Sequence, residues 1–290
     1  MWLIVWLVPQ LIVECCGVYT GSLAGLAKVT NAFRNSGVKV APYEIKSDPV
    51  GMDILGDMGF CNAILLALQS APGSFCMLAP VCSTWVFLNR GTSRRCRARP
   101  LGDTRVVSVR QANIMVSRVC LLLYIFISKG VWWLLEQPVS SLLEYHPRMQ
   151  EMATLHPMFR AFTWLGAYGP GSPKGSILYS CHEFIGELYR PITRDTQFKD
   201  TNNLARKYVD SSGKARVHGL AGLKGSQTYP AGFGSALVAM YSTHSDAINA
   251  GARALHAEVP ALFQVAVAGS DCWLDADLAG VFRFLQGSGV

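Results

Sequence analysis

The chain has 290 residues, half of them hydrophobic and only 16% charged. That length and composition can bury a sizeable core and exclude a disordered tail. The formal net charge of +7 favours a polyanionic partner, nucleic acid or an anionic membrane surface, although an ordinary basic enzyme carries the same balance.

Residues 2–13 are apolar apart from Gln10 and contain no Lys or Arg. A signal peptide needs a positive start and a small-residue cleavage site, and a membrane span needs about 20 apolar residues. Pro9, Gln10 and Glu14 interrupt this run. It reads as a lead-in and a buried first strand over 11–15, with a membrane anchor over residues 2–13 as the alternative. A small-residue loop with Gly17, Gly21 and Gly25 follows. A helix is expected over 27–35, closed by Gly37. A second strand over 38–45 ends in Tyr43-Glu44, and residues 53–55 read as a short edge element. A helix over 60–68 and a turn at Pro72-Gly73 lead to a hydrophobic strand over 75–80, which runs into Cys82.

After a polar loop, a long helix is expected over 107–129. Its second half is apolar all round, so it should be buried, and Gly130 ends it. A buried strand over 131–135 delivers Glu136. Ser140-Ser141 should cap a helix reaching about residue 152. Strands are expected over 162–168 and 176–179. From Arg190 to Lys224 the chain turns polar and loop-rich, and 230–254 returns to a helical pattern. Short apolar runs alternating with longer periodic ones predict an α/β fold with a mainly parallel sheet and helices on both faces. The predicted organisation is an α/β domain over 1–185, a basic loop-rich insertion over 186–228 and a C-terminal helical segment over 229–290.

The nine cysteines form no C-x-x-C pair and no Cys/His cluster with zinc spacing. They predict a reducing, intracellular setting (nuclear or cytoplasmic), without a disulfide framework or a structural metal.

Three segments can carry chemistry. The first joins the glycine loop to Glu44, which lies 19 residues after Gly25. Glycines let the backbone approach a ligand, a helix N-terminus offers free N–H groups, and an acid at that spacing accepts both hydroxyls of a ribose. Asp53 follows where a third strand end would meet an adenine. The plainer reading is a turn and a solvated strand end.

The second segment is Pro80-Val81-Cys82-Ser83. In an open α/β sheet, ligands bind beyond the carboxyl ends of the strands. A thiol there is placed as a nucleophile if a cation lowers its pKa. Arg90, Arg94, Arg95, Arg97, Arg99 and Arg105 follow closely and suit phosphate. A buried structural cysteine and a solvated basic loop fit the same residues. The third segment is Trp132 to Pro138, an apolar run ending in a carboxylate at Glu136. A charge at the core's edge is costly without a partner, which makes Glu136 a site candidate. The competing reading is a helix-start acid bonded to the backbone N–H groups of residues 139–141.

A glycine loop, an acid after the second strand, a Pro and Cys after the fourth and Glu-Gln-Pro after the fifth together resemble the cytosine-5 DNA methyltransferases. The likeness is greatest to the divergent phage- and algal-type members and covers roughly residues 11–180. It implies a Rossmann-like methyltransferase sheet and S-adenosylmethionine as cofactor. The family's thiolate attacks C6 of a flipped-out cytosine while its Glu holds the N3 and N4 edge of that base, and extrusion is required because these atoms are hidden in the duplex. On this likeness Cys82 is the nucleophile and Glu136 the base-holding acid. Glu44 would bind the donor's ribose, Asp53 would sit at its adenine, and Gly17, Gly21 or Gly25 would line its methionine end. Pro80 would shape the loop before the cysteine. Arg90, Arg94, Arg95, Arg97 and Arg99 would contact nucleic acid, with DNA the expected partner. Tyr168-Gly169 with Lys174 resembles a Tyr-Gly…Lys element of phage-type members.

Three departures stand beside the likeness. The usual proline pair is here Pro80-Val81. The glycine loop is stretched across 17–25. The Gln-x-Arg-x-Arg element has no clear counterpart, and Tyr189-Arg190 with Arg194 is a weak substitute. A catalytically degenerate nucleic-acid-binding member of the same fold is the alternative function, and a Cys-based hydrolase would need a histidine poised on Cys82.

Overall fold

The computed structural model describes residues 11–16, 26–45, 47–169, 174–193, 205–213, 215–219 and 228–255. In chain order its elements begin with β1 (Leu11–Cys16), α1 (Leu26–Asn35), β2 (Lys39–Glu44), α2 (Asp57–Gln69), β3 (Phe75–Ala79), the single-turn α3 (Arg90–Ser93) and α4 (Val107–Ser128). They continue with β4 (Trp132–Pro138), α5 (Pro147–Leu155), β5 (Phe159–Trp164), β6 (Gly175–Ser180), β7 (Ala205–Val209), β8 (Ala215–Gly219), α6 (Ala231–Thr243) and α7 (Ser245–Leu255).

Six strands form one sheet in the order β2-β1-β3-β4-β6-β5. The pairs β1–β2, β1–β3 and β3–β4 are parallel, and β4–β6 and β5–β6 are antiparallel. The fold is mixed α/β and its sheet is itself mixed. β7 and β8 pair separately as a hairpin, within the stretch expected to be loop-rich.

Side-chain alternation on the central strands decides what covers each face. Cys76 and Leu78 of β3, Trp133 and Leu135 of β4, and Ile177 and Tyr179 of β6 join one core with α2, α4 and α5. Phe75 and Met77, Trp132 and Leu134, and Leu178 join a second core with α1, α6 and Ile248 of α7. Both faces of β3 and β4 are buried, which is why these strands read as unbroken apolar runs. Helices therefore flank the sheet on both sides.

α4 is long and apolar enough to cross a membrane by length and composition, and most of that stretch is buried inside the fold. Its one buried arginine, Arg118, has specific partners. The guanidinium donates to the carbonyls of Ile54 (2.8 Å) and Gly56 (3.1 Å) and pairs with Asp57 (3.2 Å). That fastens α4 to the turn before α2. Gly37 (φ 82°) and Gly130 (φ 63°) end α1 and α4 in the left-handed region that favours glycine, as expected.

Other expectations are corrected. Residues 53–55 are turns, because Asp53 accepts the Leu55 N–H on its side chain (2.9 Å) and the Gly56 N–H on its carbonyl (2.9 Å). No helix starts at Ser140-Ser141. A 3-10 turn over Leu143–Tyr145 leads to α5, whose cap is His146, its Nδ1 accepting the Arg148 N–H at 3.2 Å. Proline at the first helical position explains the delayed start. The strand expected over 162–168 begins and ends earlier, at Phe159 and Trp164, and residues 165–168 are a 3-10 turn. The helical pattern from Pro230 divides at His244 into α6 and α7.

Candidate functional site

Parallel pairing brings several strand ends to one edge. Cys16 is level with Glu44 on one side and Ala79 on the other, and Leu78 is level with Leu135. The carboxyl ends of β2, β1, β3 and β4 therefore present Glu44, Pro80 and Glu136 in neighbouring positions. Gln137 ties two of these ends together. It is buried, its Nε2 donates to the Pro80 carbonyl at 2.8 Å, and its Oε1 accepts the Ser141 hydroxyl at 2.9 Å. Beyond Pro80 the chain turns tightly, with the Cys82 carbonyl accepting the N–H groups of Trp85 (2.9 Å) and Val86 (3.1 Å). Trp85, fully buried, anchors the far side of this turn. Its carbonyl accepts the Leu142 N–H at 3.0 Å.

Glu136 lies inside β4, where it continues the row of Trp132 and Leu134 toward the face covered by α1 and α6. It is 3% exposed and its partners are side chains rather than a following helix N-terminus. Oε1 accepts the Ser176 hydroxyl at 2.5 Å and faces Lys174 Nζ at 3.2 Å. Oε2 accepts the Tyr229 hydroxyl at 2.8 Å. A buried carboxylate with a cation and two hydroxyl donors is a compensated charge.

Cys82 belongs to the same constellation. The residue is half-buried. That burial pushes the thiol above its ordinary range, the Lys174 charge pulls it down, and the Glu136 charge pushes it up. The resting group is therefore a thiol with one nearby cation able to favour the thiolate. Cys82, Glu136 and Lys174 act on one another. Tyr229 and Ser176 join the group, and neither was among the residues expected at the site. They reach Glu136 from 93 and 40 residues away.

Glu44 is half-buried at the end of β2, and its N–H points at the Met52 sulfur at 3.3 Å. Asp53 caps its own turn. A residue with a β-carbon at Gly59 would collide with the Asp53 carbonyl oxygen, so glycine there lets α2 press against this turn. Gly17, Gly21 and Gly25 lie outside the described residues, as does Arg194.

The arginines after Cys82 divide into two kinds. Arg94, Arg97 and Arg99 are exposed, and Arg90 is half-buried with its guanidinium 4.7 Å from the Phe87 ring. Arg95 is corrected. It is 2% exposed and stacks 3.4 Å over the Trp85 ring. It donates to the carbonyls of Pro100 (2.5 Å) and Val109 (3.2 Å), to Asn113 Oδ1 (2.8 Å) and to Thr84 Oγ1 (3.3 Å). A guanidinium so enclosed organises the loop and cannot reach a phosphate. Arg105 is exposed and pairs with Asp103 at 2.8 Å, which holds that carboxyl well below its usual range.

Among the described residues no group of three or more His, Cys, Asp or Glu side chains is arranged to hold a metal ion. No protein-family model, curated protein or solved structure matches the chain.

Proposed function

We propose that this chain is an S-adenosylmethionine-dependent methyltransferase acting on cytosine in DNA through Cys82, in the manner of the cytosine-5 enzymes it resembles. The observation that carries this reading is the grouping of Cys82, which follows β3, with Glu136 of the adjacent parallel strand β4 and Lys174 just before β6. The strand order supports it as well, with parallel neighbours through β4 and a reversed β6 next to it.

In this reading the thiol of Cys82 loses its proton with help from the Lys174 charge. Sγ then adds to C6 of an extruded cytosine, and the electron pair it supplies makes C5 nucleophilic. One oxygen of Glu136 would accept from the N4 amino group and, with the carboxyl protonated, the other would donate to N3, which holds the ring in place. Once C5 carries the methyl group that the cofactor would supply, loss of the C5 proton to solvent water and cleavage of the S–C6 bond would return the thiolate. The donor set at the outer strand ends suits the cofactor: Glu44 would hold the ribose hydroxyls and the Asp53 turn would border the adenine. S-adenosylmethionine, when bound, supplies an electrophilic methyl group. The exposed Arg94, Arg97 and Arg99 would make phosphate contacts.

One observation favours the alternative of a nucleic-acid-binding member without turnover. Both oxygens of Glu136 are already engaged, and burial keeps Cys82 protonated. Trapping separates the two readings. DNA containing 5-fluorocytosine should form a covalent adduct in the presence of S-adenosylmethionine, and Cys82→Ser should abolish it. Calorimetry should show cofactor binding that weakens in Glu44→Ala. Absence of both adduct and cofactor binding, with DNA binding retained, establishes the second reading.

A further inference from the structure

Tyr229 touches both members of the ion pair whose charges act on Cys82. Its hydroxyl donates to Glu136 Oε2 at 2.8 Å, and its ring centroid lies 5.8 Å from Lys174 Nζ. It is 3% exposed and lies two residues before α6, whose Phe233 stacks on it at 5.5 Å between ring centroids. The residue is thereby held by the element packed against α1 rather than by the pocket it enters. Glu136 divides its acceptors between two groups, Oε1 for Ser176 and Lys174 and Oε2 for Tyr229.

We infer that Tyr229 is a positioning residue that sets how the Lys174 charge is shared between Glu136 and Cys82. The reasoning follows from competition for one carboxylate. A phenol hydroxyl on Oε2 disperses part of the negative charge of Glu136 and fixes its plane. Without that donor the carboxylate draws Lys174 closer, and the field of the cation at the thiol falls. Among the described residues the charged groups acting on Cys82 are Lys174 and Glu136. The arrangement also makes the nucleophile responsive to its ligand. A bound base that donates its amino group to Glu136 takes the part that the hydroxyl plays at rest, and Lys174 stays available to Cys82. The inference rests on Cys82 being the nucleophile. It links α6 to the reactivity of the Cys82 thiol.

The test reads thiol chemistry alone, so it stays apart from whether methyl transfer occurs. Iodoacetamide alkylation of the full-length protein is followed across pH by peptide mass spectrometry at Cys82, because Cys96 is exposed and reacts independently. In Tyr229→Phe, which keeps the ring and removes the hydroxyl, the alkylation midpoint should rise by roughly half a pH unit. That is about threefold slower alkylation below the midpoint. In the Glu136→Gln background the same substitution should shift nothing, since it acts through Glu136. An isosteric variant guards against a folding defect: 3,5-difluorotyrosine at position 229 is a stronger donor and should lower the midpoint. An unchanged midpoint in Tyr229→Phe, or a shift that persists with Gln at 136, overturns the inference. Failure of the 5-fluorocytosine adduct with these shifts intact would remove the methyltransferase reading and leave the positioning role standing.

Discussion

Replacing Gln137 by Leu tests whether the link between the two strand-end segments holds the site together. The amide makes two buried hydrogen bonds, to the Pro80 carbonyl at 2.8 Å and from the Ser141 hydroxyl at 2.9 Å. Each such bond contributes about 1 kcal/mol net, and a stranded buried partner costs about 1–3 kcal/mol more. The Pro80 carbonyl would lose the Gln137 amide, while the Ser141 oxygen keeps the Leu143 N–H at 3.2 Å. Leucine matches the side chain in volume, so cavity formation adds little. The expected loss is about 3 kcal/mol, or roughly 6–12 °C in Tm at the 2–4 °C per kcal/mol of larger domains. Urea unfolding measures it, with Gln150→Leu on the exposed side of α5 as a control expected within about 0.5 kcal/mol of wild type. Cys82 should also be alkylated faster, since its loop loses a tether. Gln137→Leu within about 0.5 kcal/mol of wild type, with an unchanged alkylation rate, would refute the tether.

Arg95→Met should destabilise by about 3 kcal/mol, because four polar partners lose a donor in a closed site, whereas Arg99→Met should change thermal stability by less than about 0.5 kcal/mol. Charge reversal at Arg94, Arg97 and Arg99 should flatten the salt dependence of DNA affinity by about 0.9 in slope for each phosphate no longer neutralised, and an unchanged slope removes that loop from the interface. Burial, followed by the charges of Arg95 and Arg148, pushes His146 down to about 3. Between that value and the ordinary range near 6.5 the unfolded chain binds a proton that the folded chain refuses, so stability should be full above about pH 6.5 and decline as pH falls toward 3. His146→Asn keeps a capping acceptor without the titration, and should flatten the Tm profile between about pH 7 and pH 5.

Much of the architecture was legible because the central strands and α4 advertise burial through long apolar runs. The glycines after α1 and α4 marked their ends for a steric reason that sequence shows directly. Glu136 was visible as a misplaced charge, yet its neighbours were not. Ser176 and Tyr229 are brought to it by an antiparallel return and by a helix from the other end of the chain. Such partners follow from register, which periodicity does not specify. The one local hint was the alternation of Ser176, Leu178 and Ser180, two small hydroxyls where a buried strand would otherwise place apolar side chains. Ser180 spends its hydroxyl similarly, accepting from Trp132 Nε1 at 2.8 Å and donating to the Trp133 carbonyl at 2.9 Å. Arg95 misled for the opposite reason. Among closely spaced arginines, composition gives no sign of which one turns inward over a tryptophan. Asp53 fits a short strand by apolar content, but an aspartate also bonds to its own backbone two residues on and makes a turn.

The span of 93 residues between Glu136 and Tyr229 carries a consequence for biosynthesis. At translation speeds of roughly 5–20 residues per second, the chain carries Glu136 out of the ribosome about 5–20 seconds before its phenol partner exists. During that interval β3, β4 and α4 can already associate, since they are closer to one another in sequence. Of its partners among the described residues, the buried carboxylate then has only Ser176 and Lys174 to compensate it. Late arrival of α6 would convert a loosely closed sheet edge into the finished pocket. A nascent chain stalled before residue 229 should therefore be more protease-sensitive around β4 and β6 than one released at full length.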